Sequence, residues 1–83
     1  MNRKVFLEIC GGGRDENIRF AGLRGVLLDL GFVERVRGSH HIFAKPGVAE
    51  ILNLQPKGAS AKPYQVKQVR KVIQKYTLAS EEE

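Results

Sequence analysis

A change of hydrophobic period at Gly31 constrains this chain more than any other feature. Phe20, Leu23, Val26, Leu27 and Leu30 recur at helical spacing, and Gly31 stands where a C′ glycine closes a helix. Beyond it the apolar residues come in short β-type runs: Phe32-Val33-Glu34-Arg35-Val36-Arg37, His40-His41-Ile42-Phe43-Ala44 and Glu50-Ile51-Leu52-Asn53-Leu54. Gly38-Ser39 separates the first two. The link to the third holds Pro46-Gly47, the order that suits a type II turn. Links this short favour an antiparallel meander. A chain of 83 residues has room for one hydrophobic core, so helix and meander must share it.

The flanks complete the architecture. Arg3 to Cys10 reads as a short helix or strand anchored by Val5, Phe6 and Ile9, stopped by Gly11-Gly12-Gly13. Three glycines suggest a phosphate-cradling loop, but no Gly-Lys-Ser/Thr follows and the dinucleotide spacing is absent, so they read as a chain break. Gly22 and Gly25 each weaken the first long helix by up to about 1 kcal/mol relative to Ala, and leave room for a close neighbour. After a loop from Gln55 to Lys62, Pro63 fits the first turn of a second long helix. Val66, Val69, Val72, Ile73 and Tyr76 share one face of it, with Lys67, Arg70, Lys71 and Lys75 opposite. The expected fold is α+β: a three-stranded antiparallel sheet with helices packed on one face and the other face open, in the order short element-α-β-β-β-α. It is read as one domain over residues 1–79 with a frayed acidic tail at 80–83.

Charge points to the partner. The chain carries 14 Lys and Arg against 9 Asp and Glu, a net of +5. Three of those acids are Glu81, Glu82 and Glu83; without them, 14 bases face 6 acids, a net of +8. No acid stands between Glu50 and Glu81, where Lys57, Lys62, Lys67, Arg70, Lys71 and Lys75 all fall. A stretch of one sign attracts a polyanion, most often nucleic acid; the plainer reading is a solvated surface. A lone cysteine, Cys10, cannot form an internal disulfide and reads as a small hydrophobe. No apolar run nears the roughly 20 residues of a membrane span. The first residues are interrupted by Glu8 and the glycine run, unlike a signal peptide. A cytoplasmic protein without membrane association is expected.

Few residues could carry chemistry. His40 and His41 are adjacent, so strand alternation sends them to opposite faces. No Cys, Asp or Glu cluster stands at metal-ligand spacing, and no Ser-His-acid arrangement is supported, so neither metal nor cofactor is expected. One histidine among many Arg and Lys can support metal-free RNA cleavage, though a surface histidine is more often inert than catalytic. The RNA 2′-hydroxyl is a built-in nucleophile, an imidazole moves the proton, and cations stabilise the phosphorane-like transition state. His40 is the candidate catalytic residue. Arg37, Ser39, Lys57 and Lys62 are candidate RNA contacts beside it, and Lys67, Arg70, Lys71 and Lys75 candidates for following the RNA backbone.

Gly38-Ser39-His40-His41-Ile42-Phe43, preceded by Leu30-Gly31-Phe32 and followed by Lys45-Pro46-Gly47, resembles the HicA family of toxin ribonucleases. Lys62-Pro63-Tyr64-Gln65-Val66-Lys67-Gln68-Val69-Arg70 is similar to the helix that ends many members. The likeness spans roughly Ile18 to Tyr76. It implies a fold like the double-stranded-RNA-binding domain, and a bacterial mRNA interferase whose catalytic histidine, directly after Gly-Ser, is His40. It also implies a HicB-type antitoxin as partner in a toxin–antitoxin hetero-oligomer. His41 takes no catalytic role in this likeness. Many members carry a second histidine after a Pro beyond the third strand, where this chain has Pro56-Lys57-Gly58. The element before Ile18 is longer than the minimal family pattern. Two other functions fit the same charge: a non-catalytic double-stranded-RNA-binding module, and a basic domain that docks on an acidic protein.

Overall fold

A computed structural model describes residues 2–79, so the tail expected at 80–83 lies outside the described residues. The undecided first element is a helix, α1 (Arg3–Gly11). The Asn2 side chain accepts the Val5 N–H at 3.1 Å, supplying one of the partners a helix start lacks. The helix ends at Gly12, whose φ of +70° favours glycine. Ile9 is fully buried, with Val5 and Phe6 packed against the core. One 3-10 turn, Asp15–Asn17, then leads into α2 (Phe20–Asp29).

The close of α2 is built as its glycine suggests. Gly31, at φ +98°, donates its N–H to Leu28 O, and the Phe32 N–H returns to Leu27 O, each at 3.0 Å. This paired closure satisfies carbonyls the helix end leaves free and turns Phe32 into the core. Phe32 therefore belongs to the helix cap, and β1 begins one residue later. Of the two helix glycines, Gly22 makes the close approach: a Cβ there would stand 3.2 Å from Val5 Cγ1, where α1 crosses α2. Gly25 meets nothing within 4 Å.

The sheet is β1 (Val33–Arg37), β2 (His40–Ala44) and β3 (Leu52–Leu54), antiparallel in that order. Arg37 pairs with His40 and Val33 with Ala44 on one side of β2; His41 pairs with Leu54 and Phe43 with Leu52 on the other. The Pro46-Gly47 turn has Gly47 at φ +87° and the Val48 N–H bonded to Lys45 O at 3.0 Å. β3 is shorter than its run of apolar residues predicts. Glu50 precedes it, held by Lys75 at 2.8 Å and by the Tyr76 hydroxyl at 2.6 Å, and Ile51 is exposed. Side chains from the last helix therefore occupy the start of the expected strand.

α3 (Pro63–Tyr76) begins at its proline and buries Val66, Val69, Val72 and Ile73. Those residues close one core with Leu23, Val26, Leu27, Phe43, Leu52 and Leu54. Helices pack against one face of the sheet and leave the other open, with α1 seated on α2 and α3, a small α+β fold of the double-stranded-RNA-binding type with α1 added in front. Among the described residues no helix is long and apolar enough to cross a membrane.

Candidate active site

The sheet face of each histidine follows from one neighbour. Phe43 is fully buried in the core, so His41, two residues before it, shares the helix-covered face. His40, Ile42 and Ala44 face the open side. The Gly38-Ser39 turn, with Gly38 at φ +59°, brings Arg37 directly across from His40. Asn53 lies on the same face, beside Ile42, and its Oδ1 is 3.1 Å from His40 Nδ1. With the amide oxygen facing the ring, Nδ1–H donates, and the Nε2 lone pair is the one available to a substrate.

A second line of polar groups flanks the imidazole. Ser39 Oγ accepts from Gln55 Nε2 at 2.9 Å, and Lys62 Nζ reaches Gln55 Oε1 at 3.5 Å. Gln65, buried under β3, fixes the backbone of this segment. Its Oε1 accepts the Gln55 N–H at 3.1 Å, and its Nε2 donates to Asn53 O at 3.5 Å. Arg37, Ser39, His40 and Lys62, expected from the sequence, thus gather with Asn53 and Gln55, which sequence reasoning missed. A signal for Asn53 was present: it is the polar residue between Leu52 and Leu54, and alternation puts it on the face of His40. Lys57 follows β3 in an exposed loop, its backbone paired with Ser60.

His41 lives in a different environment. Its Nδ1 is 2.7 Å from Glu34 Oε2, and its ring meets Phe20 edge-on, centroids 4.8 Å apart. Arg24 grips the same carboxylate, Nε at 2.9 and 2.8 Å from its two oxygens. The Arg24 guanidinium, and after it His41, hold the Glu34 carboxyl below the usual carboxylate range against the opposing effect of burial. This network ties α2 to the sheet.

The basic face of α3 divides. Arg70 is engaged inside the molecule: it donates to Asp15 at 2.9 and 3.1 Å and to Ile9 O at 3.1 Å, tying α1 and the 3-10 turn to α3. Its guanidinium, first by hydrogen bonding, holds the Asp15 carboxyl below its ordinary range. Arg70 is thus committed to the fold, unlike the RNA-following residue expected from helical spacing. Lys75 is paired with Glu50, whose carboxyl falls to about 2 through Lys75 first and then Tyr76. Lys67 and Lys71 stay exposed, but α3 packs on the covered side of the sheet, and the two line separate grooves, Lys67 beside Arg14 and Pro63, Lys71 beside Ile51 and Gln68. The structure does not bring them to His40.

Cys10 is half-buried and its thiol is pushed up by burial, as suits a small core residue. Among the described residues no three His, Cys, Asp or Glu side chains converge on one point. The open-face cluster can take a proton at His40 Nε2 and offer positive charge from Arg37, paired across from it, with Lys62 linked to it through Gln55 and Ser39. Comparison of the chain with protein-family models, with curated proteins and with solved structures found no match, so the functional reading rests on this cluster.

Proposed function

We propose that this chain is a metal-independent endoribonuclease of the HicA toxin type, acting on messenger RNA in the cytoplasm and neutralised by a HicB-type antitoxin. The observation that carries the reading is the His40–Asn53 contact. An imidazole on an open sheet face is fixed through Nδ1, with Nε2 free for a substrate and Arg37 across the strand pair. In the reaction, Nε2 accepts the proton of a 2′-hydroxyl as that oxygen attacks the adjacent phosphorus. The 5′-oxygen leaves and takes a proton from solvent, and a 2′,3′-cyclic phosphate remains. Arg37 and Lys62 stabilise the added charge on the phosphoryl oxygens.

The second reading is a non-catalytic RNA-binding module. It is favoured by one feature: the position after Pro56 that would supply a second imidazole holds Lys57. Incubating the pure protein with RNA in excess EDTA separates the two. Fragments ending in cyclic phosphate support the nuclease, and binding without fragments supports the module. The His40→Ala protein is expected to lose roughly 10²–10⁴-fold in cleavage while still binding RNA, because phosphate contacts carry most of that affinity. Undiminished cleavage by His40→Ala would remove His40 from the chemistry.

A further inference from the structure

The two edges of the sheet are not alike. At the β3 edge, Gln65 reaches from α3 and bonds two of the outward-facing backbone groups, Asn53 O and the Gln55 N–H. That edge is partly covered. At the β1 edge, nothing among the described residues pairs with the backbone on the side away from β2. The two-residue Gly38-Ser39 turn makes Arg37 and His40 the hydrogen-bonded pair beside it. By alternation, Glu34 and Val36 then turn their N–H and C=O groups outward.

β1 has no proline and no bulge over its five residues; what guards it against indiscriminate pairing is charge, from Glu34, Arg35 and Arg37, which selects among partners and leaves the backbone ladder available. Val33 and Val36 are 64% and 56% exposed. Arg35 and Arg37 carry no ion pair among the described residues, whereas Glu34 is already neutralised by Arg24. Such a strand offers a backbone ladder, apolar contacts and uncompensated positive charge together.

We propose that the β1 edge is a docking site for an extended acidic segment of a partner protein, added antiparallel as a fourth strand with its carboxylates opposite Arg35 and Arg37. A second copy of this chain fits poorly. Any antiparallel register that matches the faces and pairs three or more residues of two β1 strands sets Glu34 against Glu34 or arginine against arginine, which is unfavourable. RNA would satisfy the arginines but not the backbone donors and acceptors in alternation. The inference does not depend on RNA cleavage by His40 and would survive its failure.

The test follows amide exchange in the full-length protein with a synthetic peptide of about ten residues alternating Glu and Val, and a control with Lys in place of Glu. Millimolar Glu peptide should slow exchange at Glu34 and Val36 by roughly tenfold or more and leave Asn53 and Gln55 unchanged, with little effect from the Lys peptide. Val36→Pro, which removes an outward N–H that no strand partner uses, should abolish the protection while keeping the folded amide spectrum. Arg35→Glu should reverse the preference between peptides, an independent check if the proline variant unfolds. Absence of protection at Glu34 and Val36, or equal protection by both peptides, overturns the proposal. So does protection that grows with protein concentration alone, or that an RNA oligonucleotide reproduces.

Discussion

His40 and His41 are bonded neighbours with opposite environments. His40 is exposed on the open sheet face, touches one uncharged amide and leaves its Nε2 for a substrate. His41 is half-buried on the covered face, between a carboxylate clamped by Arg24 and the edge of Phe20. The difference teaches that a His-His pair on a strand is two unrelated residues. Alternation places one on the solvent face and the other where it holds a helix against the sheet.

Exchanging the two histidines' roles is the sharpest way to break this contrast. His40→Ala should cost the roughly 10²–10⁴-fold in cleavage given above and shift stability by no more than about 0.5 kcal/mol, as for an exposed residue. A thermal melt run beside the cleavage assay checks both halves. His41→Ala should do the reverse. Loss of the aromatic contact and of a charge-assisted hydrogen bond is expected to destabilise by about 1–2 kcal/mol, a fall in Tm of several degrees, with cleavage retained at temperatures where the variant is folded. If His41→Ala abolishes cleavage without lowering Tm, the assignment of roles is wrong.

Asn53→Ala sharpens the His40 side. Asn53 acts through the imidazole by fixing its tautomer, so the expected loss is about tenfold in kcat, together with an altered pH profile and little change in RNA binding. Rescue by Asn53→Asp, which restores an acceptor for Nδ1–H, would support the positioning role. An unchanged pH profile in Asn53→Ala would count against it.

The smallest effect belongs to the His41 side and reads out as pH dependence. The folded-state pKa of Glu34 is depressed relative to its unfolded value, so its contribution is fully present above the ordinary carboxylate range and is lost as pH falls through the depressed value. The stability difference between the wild-type protein and Glu34→Gln should therefore shrink as pH is lowered from about 5. A difference that is constant across that range would show that the Arg24–Glu34–His41 network contributes no titrating stability.

Much of this architecture is legible locally. Gly31 marks the end of α2 because a left-handed residue is needed there, and Pro63 marks the start of α3 because a missing N–H is harmless in a first turn. β2 spans the five residues expected, since Gly38-Ser39 and Lys45-Pro46 bound it chemically. The misreadings have non-local causes. Glu50 leaves the third strand because Lys75 and Tyr76 bond it from 25 and 26 residues away. Arg70 looks like surface charge on a helical wheel, yet its partner Asp15 is 55 residues distant. No periodicity rule contains those pairings.

By itself the sequence determined the α+β class, the order of the elements and the separation of two adjacent histidines onto opposite faces. All three follow from period, turn chemistry and alternation, which act over a few residues. Which face each histidine takes was decided only in tertiary structure, because that depends on where Phe43 finds its core. The same holds for the arginine of α3 that the fold consumes, and for the edge of the sheet that stays open while Gln65 partly covers the other. These are outcomes of packing between distant segments, where burial selects the partner.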